Sequence, residues 1–229
     1  MAVIDLLVNS NWERPIYMNT TSLASVNFDI RRYAVQQGIA YRILPISNPD
    51  PQDYQVDLAT MYDNVMNKYQ WRELDNPDVY YSEDYRNFVL NHRSAFNSLA
   101  ISLMEDGQYK KSEEVIEKCL QAMPNEAIPY DYFNMQQVGI LLELDQYENS
   151  SEVGAPSKLK SMADDIAEIT VQNTSEMLDY MIKTKNYNMT QMQQMLISLN
   201  TITRAYRASG HKEEAAKYEE LFNKYYQEF

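Results

Sequence analysis

The chain has 229 residues, 45% of them hydrophobic and 12% aromatic, so it is long enough to bury a substantial core and too apolar to remain disordered. Its 33 acidic residues against 20 basic ones give a formal charge of −13, a surface that repels phosphate backbones and anionic lipid and argues against nucleic-acid or membrane-surface partners. One cysteine, Cys119, and two histidines, His92 and His211, leave no disulfide framework and no His/Cys metal cluster.

No apolar run reaches the roughly 18–20 residues of a membrane span, and the opening Met1–Asp5 lacks the basic start and apolar core of a signal peptide. Val3–Val8 reads as one or two helical turns, and Pro15–Met18 as a short strand after the polar stop Asn9-Ser10-Asn11. Ser22 is placed to cap a helix running to about Gln37, with Gly38 as the left-handed residue that ends it. Ala40–Leu44 is a second strand closed by Pro45. Residues 1–50 are therefore expected to form a small α/β segment, strand-helix-strand, packed on the helices that follow. The turn after the first strand, Asn19-Thr20-Thr21, has no glycine to let a phosphate approach.

Residues 47–56, with Pro49 and Pro51, read as a linker. Asp57 caps a helix expected from about Leu58 to Tyr69, with Met61, Val65 and Met66 inward, and Trp71–Tyr81 is a loop around Pro77. From Ser82 onward the 3.6-residue period dominates, so residues 51–229 are expected to be a helical domain. Phe96, Leu99, Ala100 and Leu103, then the turn Gly107-Gln108-Tyr109, then Ser112 and Ile116, then Pro124, fit a tetratricopeptide-like helix hairpin, with large residues where its helices cross and small ones where they touch. Cys119 falls at a small apolar position, so its expected job is packing. A second copy runs through Leu199, Ile202, Thr203, Tyr206, Gly210, Ala215 and Phe222, and the offset from first helix to turn and to second helix is the same in both.

Between them, Pro129 opens a helix to about Tyr147, residues 149–156 form an enlarged turn, and a long helix covers roughly Ser157–Lys183 with Met162, Ile166, Ile169, Met177 and Met181 as its buried stripe. Three hairpins stacked in an α-α superhelix make a stable unit because each covers its neighbour's apolar face. The fold class is thus mainly α, tetratricopeptide-like hairpins preceded by a small α/β segment.

Catalytic chemistry is not legible. No nucleophile elbow, phosphate loop or His-Glu-x-x-His helix occurs, His92 reads as a packing or capping residue and His211 as solvated, and no cofactor is expected. Asp50, Asp53 and Asp57 lack calcium-loop spacing, and Asp164, Asp165 and Glu168 read as the wet face of the long helix. The best binding candidates are Trp12, Arg14, Tyr17, Tyr41, Arg42, Tyr62 and Trp71, which would line a groove between the α/β segment and the hairpins. Rings stack on sugars or peptide side chains, and Arg pairs with carboxylate or phosphate. The alternative is that these residues lock the α/β segment onto the helices.

Several motifs in order resemble a known family: Asn11-Trp12-x-Arg14-Pro15-Ile16-Tyr17, Gly38-x-Ala40-Tyr41-Arg42-x-x-Pro45, Met61-Tyr62-Asp63, and Asn91-x-Arg93-x-x-Phe96-x-x-Leu99-Ala100. The set resembles the C-terminal soluble region of the bacterial multi-pass membrane proteins of domain of unknown function 2723, which look like protein O-mannosyltransferases in their membrane part. The resemblance covers about residues 1–130 well and the rest loosely. It implies a region of a longer membrane protein, facing the periplasm, with catalytic residues elsewhere. The function expected is a non-catalytic interaction domain for an acceptor polypeptide or partner subunit, with the membrane reached only through a preceding multi-span region. A carbohydrate-binding module and a purely structural brace are the alternatives.

Overall fold

In the computed structural model, residues 2–48, 55–148, 157–186 and 188–228 are described. The chain divides into residues 1–70 and residues 71–229, with α3 and the segment after it in the first unit.

The first unit is built on a four-stranded sheet in the order β1-β3-β2-β4. Helix α1 (Ala2–Asn9) leads to β1 (Ile16–Asn19), α2 (Thr20–Ser25), a short 3-10 turn (Arg31–Tyr33), β2 (Ala34–Gln36), β3 (Ala40–Ile43) and β4 (Gln55–Val56). β3 runs antiparallel to both β1 and β2, and β4 pairs parallel with β2. Alternation along the strands puts Ile16, Ile43 and Ala34 on the face that packs with Leu23 and Ile30, while the opposite face carries Tyr17 and Arg42 as direct cross-strand partners.

The helix expected from Ser22 to Gln37 is corrected. Only Thr20–Ser25 is helical, capped by the Asn19 carboxamide oxygen rather than by Ser22, and the chain turns extended at Val26. Ala34-Val35-Gln36 becomes a strand because β3 lies beside it to take its backbone hydrogen bonds, a long-range pairing that local propensity does not reveal. Gly38 accordingly ends no helix. It sits in the β2–β3 turn at φ +133°, where a Cβ would lie 2.1 Å from the Tyr69 hydroxyl. The linker reading is also corrected at Gln55 and Val56, which form β4; residues 49–54, with Pro49, Asp50, Pro51 and Asp53, lie outside the described residues.

Asp57 does cap the next helix, accepting from the Thr60 N–H. α3 (Leu58–Tyr62) continues as a π-helical segment, Asp63–Lys68, with Met61 and Val65 buried. Gln37 ties these pieces together. Its amide donates to Asp57 at 2.8 Å, its side-chain oxygen accepts from the Tyr17 hydroxyl at 2.8 Å, and its carbonyl accepts from Asn64 at 2.7 Å.

In the second unit α4 (Glu83–Glu105) pairs with α5 (Tyr109–Ala122), α6 (Tyr132–Glu148) with α7 (Lys158–Thr184), and α8 (Met189–Ala208) with α9 (Lys212–Tyr226). The first helix of each hairpin also packs on the first helix of the next, α4 on α6 and α6 on α8. The repeat positions behave as their spacing demands. Phe96, Leu99, Ala100, Ile116, Leu199, Ile202 and Tyr206 are fully buried, and Ser112 donates to the Ala100 carbonyl at the close helix contact. Gly107 and Gly210 take positive φ at the two turns. Cys119 is buried and accepts from the Gln137 amide.

The long helix is offset from its expected stripe. Leu159, Ala163, Ile166, Ala167, Val171, Leu178 and Met181 are buried, while Met162 and Ile169 are half-buried and Met177 is exposed. The stripe that α7 turns inward runs through Leu159, Ala163, Ala167 and Leu178 as well as Ile166 and Met181, and Met162 and Met177 fall beside it. The enlarged turn at 149–156 lies outside the described residues.

Candidate functional site

Of the seven residues singled out from sequence, six lie in the first unit and one, Trp71, in the second. Tyr41 points into the sheet core and is buried, whereas Tyr17, exposed, and Arg42, half-buried, lie on the other face of the sheet. Trp12 and Arg14 are exposed on the segment between α1 and β1, Trp12 with φ +59°. Tyr62 is half-buried at the end of α3. Trp71 belongs to the second unit, its ring 5.2 Å from His92 and 5.1 Å from Phe96. His92 therefore packs against an aromatic ring, and burial holds its pKa below the usual value. His211 is also less wet than its sequence position suggests: it is half-buried, edge-on to Tyr206.

The second unit holds a more coherent site. One recess of about 650 Å³ is lined by Leu90 of α4, Tyr130, Asp131, Tyr132, Phe133 and Met135 at the start of α6, Thr170, Asn173, Thr174 and Met177 of α7, and Gln191, Gln194, Met195, Ile197 and Ser198 of α8. A second, also of about 650 Å³, is lined by Ile101, Met104 and Glu105 of α4, by Tyr132, Met135, Gln136, Gly139, Ile140 and Glu143 of α6, and by Thr201, Arg204, Ala205 and Ala208 of α8. Tyr132 and Met135 belong to both, so the two recesses adjoin along the face formed by the first helices of the three hairpins. From the first recess to the second, residue numbers rise on α4, α6 and α8 alike, so these helices run parallel. Ile101 is 38% exposed, Tyr132 39% and Ile197 54%, which leaves an apolar strip facing solvent on a surface otherwise rich in charge. At Gly139 α6 passes close to α8: a Cβ there would make ordinary van der Waals contact with that of Ala205, at 3.8 Å.

A buried polar framework fixes this face. The Arg93 guanidinium, fully buried, donates to the carbonyls of Met123, Ile128 and Pro129 and to the Asp131 carboxylate at 2.5 Å. It thereby holds the connection from α5 to α6 and the start of α6. Asp131 in turn caps α6 by accepting from the Phe133 N–H, and Asn97 of α4 donates to the Phe133 carbonyl and accepts from Gln137 of α6. Asn97 and Gln137 are both buried, so they fix the α4–α6 register as well as satisfying each other. Sequence reasoning passed over Arg93 except as a motif letter, and missed Ile101, Tyr132 and Ile197. The available signal was apolar residues at helical positions that the repeat's own packing does not use.

The polar groups of this face are mostly carboxamides and hydroxyls, which match the donors and acceptors of a peptide backbone. Among the described residues, no group of three His, Cys, Asp or Glu side chains could hold a metal ion. Burial pushes the Cys119 thiol up to about 12, which keeps it protonated and non-nucleophilic. No described helix is long and apolar enough to cross a membrane.

Comparison with known proteins bears on the first unit. Residues 1–60 match the family model described as TMEM260-associated domain 2, a stretch that contains the Asn11–Tyr17 and Gly38–Pro45 motifs. No curated protein and no solved structure matches the chain. The match is thus to an associated domain rather than to a catalytic one, and it covers about a quarter of the sequence.

Proposed function

We propose that this chain is a non-catalytic interaction domain of a larger, glycosyltransferase-like membrane protein, placed on the extracytoplasmic side, and that its hairpin unit binds an acceptor polypeptide or partner subunit. The single observation that carries the reading is the apolar strip across α4, α6 and α8, rigidly backed by the Arg93 and Asn97–Gln137 hydrogen bonds. A solvent-facing apolar strip between polar flanks is what a bound segment would cover. The membrane association is supported by the match of residues 1–60 to a TMEM260-associated domain and by the ordered motifs that resemble the family of domain of unknown function 2723.

The test is site-specific photocrosslinking in cells, with the photoreactive residue at Ile197 and, as a control, at the exposed Glu220. The expected result is one identifiable polypeptide joined at 197 and not at 220, lost when Ile101 is changed to Asp. Equal labelling at both positions would remove the reading.

A second reading, saccharide binding, is supported by a different recess of about 560 Å³ lined by Tyr80, Arg86, Tyr180, Asn186, Asn188 and Gln191. Exposed rings beside carboxamides suit the faces and hydroxyls of a sugar. Calorimetric titration with neutral disaccharides separates the two readings: saturable binding abolished by Tyr180→Ala would favour this one.

A further inference from the structure

The apolar face has two chemically different ends. Because α4, α6 and α8 run parallel across it, the recess near Glu105 and Glu143 lies at the carbonyl ends of helices; Glu105 is the last residue of α4 and Ala208 the last of α8. Helix dipoles add partial negative charge there. Two carboxylates, Glu105 and Glu143, and one guanidinium, Arg204, line that recess, whereas the other recess has one carboxylate, Asp131, already paired with buried Arg93, beside the uncharged Gln191 and Gln194. The hairpin unit as a whole holds 26 of the 33 acidic but only 15 of the 20 basic residues.

Resting on the interaction reading above, we infer that the occupant is an extended polypeptide segment with apolar side chains near Ile197 and a Lys or Arg at the Glu105–Glu143 end. Charge complementarity selects the cation, and the apolar strip supplies the anchor. From Tyr132 to Glu143 is eleven helical residues, roughly 16 Å, which an extended chain spans in about five residues. The motif is therefore an apolar residue followed or preceded, about five positions away, by a basic one.

Two fluorescein-labelled ten-residue peptides test this by fluorescence anisotropy with the full chain. Both carry a Leu-Phe pair; one has Lys-Lys five residues away and the other Glu-Glu. The expected result is binding of the Lys peptide at least about ten-fold tighter than the Glu peptide at low salt, with the gap closing as salt is raised. Glu105→Gln combined with Glu143→Gln should weaken the Lys peptide about five-fold and leave the Glu peptide unchanged or tighter, with the circular dichroism spectrum preserved. Ile197→Asp should abolish both. Equal affinity of the two peptides overturns the assignment of a basic residue to the Glu105–Glu143 end while leaving the groove intact. No binding of either at millimolar concentration overturns both the assignment and the polypeptide reading.

Discussion

Arg93 is the residue on which the hairpin unit most depends. Its guanidinium satisfies three main-chain carbonyls and Asp131 from a position with no solvent exposure. Arg93→Ala would strand all of them, and we expect a loss of about 3–5 kcal/mol in urea unfolding, the usual cost of breaking a buried charged pair. Arg93→Lys should recover only part of that, because a single ammonium cannot reproduce the planar fork. At Gly38 the cause is backbone geometry as well as space. Gly38→Ala should lower the stability of the first unit by about 1–3 kcal/mol. The double change with Tyr69→Ala should recover only part of it, because φ +133° disfavours any Cβ even after the ring is removed. Both are read by thermal melts monitored at the aromatic residues.

At the scale of elements, α7 is fastened to the last hairpin by a polar cluster that its sequence disguised as a wet face. Lys160, almost buried, contacts Asp164 at 2.5 Å and Glu214 at 3.1 Å, and the Tyr206 hydroxyl donates to Asp164 at 2.6 Å. Burial opposes the Lys160 charge, but the hydrogen bonds to Asp164 and Glu214 win and raise its pKa. Asp164→Ala should cost about 2–4 kcal/mol because it removes the acceptor of a buried phenol and a partner of a buried ammonium. Lys160→Met should cost less than about 1 kcal/mol, since Asp164 is partly exposed and keeps its tyrosine. Equilibrium unfolding of the two variants side by side checks the order.

Buried acids in two places, Cys119 on α5 and the tyrosines beside Asp164, set an alkaline limit on the hairpin unit. Burial holds Cys119 and Tyr218 in their neutral forms, each pushed up to about 12, and burial together with the Asp164 hydrogen bond raises Tyr206 as well. These are acids whose folded pKa lies above the unfolded value, so their contribution is complete below the unfolded values of 9.0 and 10.0 and declines as pH rises toward 12. The melting temperature should be level through pH 8 and fall steadily above pH 9, and the Cys119 thiol should resist alkylation at pH 8 until the chain unfolds. At the largest scale, the division after Gln70 predicts that a fragment of residues 71–229 folds alone. It should give a helical spectrum and a cooperative melt, and the matching transition in the full chain should be unaffected by Gly38→Ala.

Periodicity and turn chemistry alone determined the three hairpins, their two turn glycines, the buried small residues and the Asp57 cap, because each follows from interactions within about 35 residues of chain. The α/β segment was legible as strands at Ile16 and Ala40, yet the Ser22–Gln37 helix failed where Ala34–Gln36 found a partner strand. Local preference cannot register a hydrogen bond made across the sheet. The candidate site was the least legible part. Aromatic and arginine content pointed to Trp12, Arg14, Tyr17, Tyr41, Arg42, Tyr62 and Trp71, of which Tyr41 is buried, while Ile101, Tyr132 and Ile197 come from three helices separated by 31 and 65 residues. Only tertiary packing brings those positions onto one face, because a stripe that serves no neighbour within a hairpin looks in sequence like any other helical surface.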